Sequence, residues 1–227
     1  MKKQNILYFF LLFALLANAQ TIPKSINKPI SSKIKKEHKK DVKEKIQPYS
    51  VWKNNFDYVG GPPWRGLYHV SLNNKWGFVN KNGKIVIPLK YDEVKVDIAD
   101  EIIVSLNNKW GLINETGAIL IAIKYDDIDN FNGGLASVKL NGKCGFINKS
   151  DKIVVPIKYD EVGYFHEGLC QVKLNGNYGF VNKQGQLVIP IKYDSCFDFN
   201  TDGKASVYLN GKRIRIDKTG NCIEDCN

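Results

Sequence analysis

The chain has 227 residues, 43% of them hydrophobic, and 33 Lys and Arg against 23 Asp and Glu give a formal net charge of +10. That charge is unevenly placed: Lys2 and Lys3 contribute two, and residues 20 to 50 hold nine Lys against Glu37, Asp41 and Glu44. Only +2 is left for residues 51 to 227, which disfavours a nucleic-acid-binding face on the body of the chain.

Taken in chain order, the first element is a secretory signal over residues 1 to 19. Two Lys precede an apolar run from Ile6 to Ala17, and Ala17-Asn18-Ala19 presents the small residues of a cleavage site. The run is too short to span a bilayer as a mature helix. No Cys follows it closely and no second long apolar run occurs, so no lipid anchor or integral membrane segment is expected after cleavage. Residues 20 to 50 are expected to be a basic, disordered linker, since so few large apolar side chains cannot offset the entropy of ordering. The linker reads as a solvated spacer, or as an attachment point for an anionic envelope polymer.

Residues 51 to 227 form a repeat domain. Leu72-Asn73-Asn74-Lys75-Trp76-Gly77 returns 34 residues later as Leu106-Asn107-Asn108-Lys109-Trp110-Gly111. It returns again at Leu140 to Gly145 and Leu174 to Gly179, and in degenerate form at Leu209 to Arg213. Lys90-Tyr91-Asp92 recurs in step as Lys124-Tyr125-Asp126, Lys158-Tyr159-Asp160 and Lys192-Tyr193-Asp194. Such a period predicts stacked units, none of which can bury its apolar faces alone.

Within one unit, Ala136, Val138 and Leu140 alternate with Ser137 and Lys139, which predicts a half-buried strand. Asn141-Gly142 supplies a tight hairpin turn, and Asn73-Asn74 can do the same. The second strand, residues 143 to 148, turns Ile147 inward along with Val79, Ile113, Val181 and Ile216. Gly77, Gly111, Gly145 and Gly179 share that face, where a missing side chain permits close approach of a neighbour. A second turn carries Gly83, Gly117, Gly185 and Gly220, with Asp151 beside the matching position. The third strand is apolar on both faces, as in Ile85-Val86-Ile87, and is expected to be interior and to end at Pro88, Pro156 and Pro190. The segment through Lys-Tyr-Asp and a loop bearing Phe131, Phe165 or Phe199 leads to the next unit.

The five Cys fall on apolar positions of the repeat, which favours packing, with Cys222–Cys226 the most plausible crosslink. Neither the Cys nor the three His show metal-ligand spacing, so no metal or cofactor is expected. Asp92, Asp126, Asp160 and Asp194 are each expected to bond backbone in a nearby turn; Asp126, Asp127 and Asp129 form the densest acidic cluster, and it does not recur.

One candidate ligand site stands out. Trp76, Trp110, Cys144 and Tyr178 occupy one column of the second strand, which ends in Arg213, with Arg215 beside it. Packing of each repeat on the next explains the column, with Arg213 and Arg215 closing an end that has no successor. The other reading is a row of aromatic platforms for sugar rings, with Arg213 and Arg215 for an anionic group.

Phrases such as NNKWGFVNKNGKIVIPLKYDEV and NGNYGFVNKQGQLVIPIKYDSC resemble the bacterial WG (KWG) repeat family, over about residues 66 to 221 with a partial copy at residues 55 to 66. The chain departs from the family pattern at Cys144, Tyr178 and the fifth copy. The resemblance implies a β-rich repeat and exported or surface-associated proteins, with little chemistry. The expected fold is all-β: about five 34-residue three-stranded repeats in an elongated, solenoid-like tandem array, or alternatively a five-bladed propeller. Nearly every polar candidate recurs with the period, whereas catalysis needs unique residues in an asymmetric pocket, so no enzyme is expected. The expected function is an exported interaction scaffold with a protein partner, secreted, periplasmic or on the cell surface. The alternative is a carbohydrate- or cell-wall-binding module.

Overall fold

A computed structural model describes residues 48–61, 65–96 and 101–226. The signal and nearly all of the basic linker lie outside the described residues. The fold is all-β, as the repeat pattern predicts: the described residues form five antiparallel sheets in tandem, spanning residues 58–91, 93–125, 127–159, 161–193 and 195–224, with no closed barrel among them. They are called sheets 1 to 5 below.

Sheet 3 shows the plan. A short strand, Asp127–Ile128, precedes two long ones, Leu135–Leu140 and Lys143–Asn148, and the edge strand Ile153–Tyr159 follows, in that spatial order. The long pair runs in unbroken register from Leu135↔Asn148 to Leu140↔Lys143. Its turn has φ of 52° at Asn141 and 77° at Gly142, the doubly left-handed geometry that matches the twist of a hairpin. Asn73 and Asn74 adopt it at 52° and 59°, since Asn tolerates the left-handed region better than most residues. In the second turn Asn148 accepts the amides of Ser150 and Lys152, as Asn80, Asn114, Asn182 and Asp217 do for their own turns.

The structure changes three expectations about the unit. First, each sheet has four strands, because residues just after Lys-Tyr-Asp, read as loop, pair with the next hairpin: Val94 lies opposite Val104 and Ile128 opposite Val138. Second, the strand apolar on both faces is the outer edge of its sheet, not an interior strand, and Ile85, Ile119, Ile153 and Leu187 are about half exposed. Third, that strand runs through its Pro to the Tyr. Trp76 lies opposite Tyr91 and Phe78 opposite Ile87, so Gly77 alone faces Pro88, Leu89 and Lys90. A Pro lacking its N–H fits such a bulge at a sheet edge.

This bulge explains the repeated Gly. A β-carbon on Gly77 would lie 2.6 Å from the carbonyl oxygen of Ile87, and one on Gly111 2.7 Å from that of Ile121. The neighbour whose approach the Gly permits is the edge strand of its own sheet. Asp151 occupies the Gly position of the second turn itself rather than a place beside it. Its φ is 57°, and its carboxylate accepts from the Tyr125 hydroxyl at 2.5 Å and pairs with Lys124 at 2.8 Å in the preceding repeat.

The core lies between sheets. Phe78, Ile87 and Tyr91 of sheet 1 pack on Ile102, Val104 and Ile113 of sheet 2. Leu112, Ile121 and Tyr125 pack likewise on Ala136, Val138 and Ile147, and Phe180, Ile189 and Tyr193 on Ala205, Val207 and Ile216. The end faces have separate covers. A helical turn, Tyr49–Trp52, places Trp52 on Val70 and Val79 with 1% of its surface exposed, and its indole N–H donates to the Lys81 carbonyl. On the last sheet Arg215 and Lys204 both pair with Glu224 at 2.9 Å. Cys222 and Cys226 form a disulfide beside them and are exposed; Cys170 is buried, and Cys144 and Cys196 are half-buried.

Two substitutions test this packing. Trp52→Ala should lower stability to urea by about 3–5 kcal/mol, the usual loss for a buried aromatic. Gly111→Ala should lower it by about 1–3 kcal/mol, because the edge strand must move aside.

Candidate functional site

The aromatic column sits at the rim of the inter-sheet cores. Trp76, Trp110 and Tyr178 are each half-buried, and the next residue on their face (Phe78, Leu112, Phe180) is buried against the following sheet. The flanks of the rings are already occupied. His69 stacks on Trp76 with centroids 6.0 Å apart, and Tyr58 meets it edge-on at 5.4 Å. Burial beside these rings holds the His69 pKa below its ordinary value. The Lys95 ammonium lies 4.2 Å from the centre of the Trp110 ring, and that of Lys173 5.2 Å from Tyr178. Cys144 points its thiol at the Asp160 carbonyl. Arg213 is exposed and donates to the Ser206 hydroxyl, while Arg215 is paired with Glu224. The structure thus places the five candidate residues at equivalent positions of sheets 1, 2, 4 and 5, with Cys144 interrupting the column in sheet 3.

The repeated Asp have a longer reach than expected. Asp92 accepts from Lys75 of the preceding hairpin at 2.6 Å and from the backbone amide of Asn107, in the hairpin turn of the next sheet, also at 2.6 Å. Asp126 joins Lys109 to Gly142, and Asp160 joins Lys143 to Asn175, in the same way. Asp57 and Asp194 hold the first and last turns through Asn73 and Gly211. The clamps at Asp92, Asp126 and Asp160 each tie two consecutive sheets together. The Lys, then the amide, hold the Asp92, Asp126 and Asp160 carboxyls below the usual carboxylate range. A sequence trace of this pairing exists: Lys75 and Asp92 both recur with the period, 17 residues apart.

The feature that the sequence reading missed is the outer edge. Ile85 and Val86, Ile119 and Leu120, Ile153, Leu187 and Ile223 are exposed near the start of the edge strand of their sheets, from 38% for Val86 to 59% for Ile119. Single exposed aliphatic residues are ordinary on protein surfaces, but here the edge strand of every repeat renews one. Lys90, Lys124, Lys158 and Lys192 run alongside, each with its ammonium about 5 Å from the following Tyr ring. Their signal was present in the run Ile-Val-Ile-Pro, but a strand apolar on both faces reads as interior until its place in the sheet is known. Among the described residues no group of three His, Cys, Asp or Glu is placed to hold a metal ion, and no helix is long and apolar enough to cross a membrane.

A family profile described as "WG containing repeat" matches residues 76–110, 110–144, 145–178 and 178–212. No curated protein matches the chain. Similar solved structures include Hsv2p of Kluyveromyces lactis, at 11% identity and a TM-score of 0.39 over 74% of this chain and 62% of that one. Another is PorZ, titled an essential bacterial surface component of the type-IX secretion system of Porphyromonas gingivalis, at 9% and 0.35 over 74% and 25%. A third is a protein of unknown function from Bacteroides caccae, at 12% and 0.27 over 70% and 77%. The chain spans 54% to 62% of the length of the first solved chains that it matches. Likenesses this faint assign no function.

The clamps predict an acid limit. Their carboxyls have lower pKa values folded than unfolded, so the stabilisation is complete above about pH 4, the unfolded carboxylate range, and is lost as pH falls through the folded values. Urea midpoints measured from pH 7 to pH 3 should fall along this limb, and D126N should flatten it.

Proposed function

The chain belongs to the WG-repeat family, and from that premise we propose that it is an exported, non-enzymatic scaffold that presents its periodic outer edge to a protein partner. It works at the cell envelope or outside the cell, delivered there by the secretory signal read in residues 1 to 19. The observation that carries this reading is the exposed aliphatic stripe on the edge strands. A solvated stripe is costly, and covering it removes apolar surface from water in proportion to the area covered. The unpaired edge beneath it also offers backbone groups to a partner's strand. The lysine ladder beside it favours a partner with acidic residues flanking an apolar centre.

No catalytic role is assigned. Aside from the cleft described below, the polar side chains recur from repeat to repeat, as scaffold residues do. The aromatic column supports a second reading, carbohydrate or cell-wall binding through Trp76, Trp110 and Tyr178 with Arg213 and Arg215, because its rings remain partly accessible at the rim. Their occupied flanks place it behind the protein-scaffold reading.

A photo-crosslinking amino acid at position 120, in the full chain expressed in its own cells, should trap a discrete protein partner. The double substitution I119E/L120E should abolish co-purification of that partner. Because both residues are exposed, stability should change by less than about 0.5 kcal/mol. Association that survives I119E/L120E would overturn the stripe as the contact. Retention on purified cell-wall polysaccharide that is lost with W110A would replace this reading by the carbohydrate one.

A further inference from the structure

We propose that the cleft between sheets 3 and 4 is a saccharide-binding site. The inference is independent of the scaffold reading, since it uses neither the stripe nor the aromatic column.

The cleft arises where the copies differ. Between sheets 2 and 3 the space beneath the connecting loop is filled by Ile103 and Phe131, which are buried. Between sheets 4 and 5 the equivalent loop residue, Phe199, is 4% exposed. Between sheets 3 and 4 the position of Ile103 is taken by Ser137, and the loop Phe165 is only half-buried. The gap that remains has a volume of about 400 Å³. That is near the lower end of the range for small-molecule sites, the size of one or two sugar rings.

Its lining combines ring faces with unlike polar groups. Phe165 and Tyr164 form one wall, and Tyr164 is 65% exposed. Asp129 replaces Lys95, Gly163 and Phe197 of the other units, and its carboxylate accepts a short hydrogen bond from the Ser137 hydroxyl. Lys183 reaches in from the turn of sheet 4. Its ammonium lies 5.9 Å from the Phe165 ring centre and so close over Gly133 that a β-carbon there would be 3.0 Å from it. No carboxylate among the described residues pairs with it. Asn130 and Asn132 add amide groups at the rim.

The opposite wall is held in place beforehand. Glu101, a carboxylate with no counterpart in the other repeats and only 4% exposed, accepts the Phe131 backbone amide at 3.2 Å. Lys149 pairs with its other oxygen at 2.6 Å. Asn132 and Leu135 close the loop by exchanging backbone hydrogen bonds around Gly133 and Gly134, both at positive φ.

A pyranose fits this chemistry. The C–H face of the ring stacks on Tyr164 and Phe165. Its hydroxyls donate to the Asp129 carboxylate and accept from Lys183 and the Asn132 amide. A wholly apolar ligand would desolvate the Lys183 ammonium and the Asp129 carboxylate without giving either a new hydrogen bond, and a phosphate would be repelled by Asp129.

The test is calorimetric titration of the full chain with glucose, galactose, N-acetylglucosamine and glucuronate, and with their short oligomers. At least one should bind with a Kd of about a millimolar or tighter. Oligomers binding more tightly than the monomer would point to a polysaccharide source, and equal affinity to free sugar. Y164A and K183M should each weaken binding about tenfold or more while leaving the melting temperature unchanged, since both side chains are exposed. W110A should leave this binding intact. Absence of binding by every probe at tens of millimolar, or affinity unchanged in both Y164A and K183M, would overturn the proposal, as would binding lost only with W110A.

Discussion

A four-stranded sheet of some thirty residues has two apolar faces, and neither can be satisfied within the repeat. Everything else in the structure follows from that constraint. One face of each of the first four sheets bears Phe or Leu beside the Trp column, together with an Ile or Val and the Tyr of Lys-Tyr-Asp. The other bears the Val and Ile of the two long strands. Each type of face is buried only by the opposite type on a neighbour, so stability depends on adjacent copies standing in a fixed register. The Asp clamps act at the same joints, tying the hairpin of one sheet to the turn of the next. They lie at the surface, so they direct register more than they supply stability.

The ends show what happens when the neighbour is missing. On the first sheet Trp52 stands in for it, with Tyr49 and Phe56 at its ring edges. On the last sheet the aromatic column becomes Arg213 and Arg215, and the face turns to ion pairs with Glu224. One end is covered by an apolar plug and the other by solvated charge. Between them the copies are nearly interchangeable, and distinct chemistry enters only through departures from the pattern: Asp151 in a Gly position, Glu101 in a core, Ser137 in place of Ile103.

Much of the scaffold was legible from residues alone. The inward Val and Ile, the Asn-Gly turns and the repeated Gly each carry a local physical requirement that recurs four or five times, and recurrence separates requirement from accident. The candidate site was less legible. The column from Trp76 to Arg213 could be followed along the sequence, but whether its rings were free depended on His69, Tyr58, Lys95 and Lys173, which approach from other strands. The edge stripe was misplaced because an apolar strand looks the same whether a neighbouring strand or solvent lies beside it. The fourth strand was missed because in three of the five sheets it has only two residues, too few to show an alternation.

By itself the sequence determined the class of fold, the length of the unit, the turn chemistry and the inward face of each hairpin. These depend on contacts within one repeat or on a pattern repeated with it. Tertiary structure decided which strand is the edge, why Gly77 and its counterparts must be Gly, and which turn each Asp holds. It also decided that the space beneath the connecting loop stays open between sheets 3 and 4. Those properties arise between segments on different strands or different sheets, where packing and bulge geometry, not local preference, choose the neighbour.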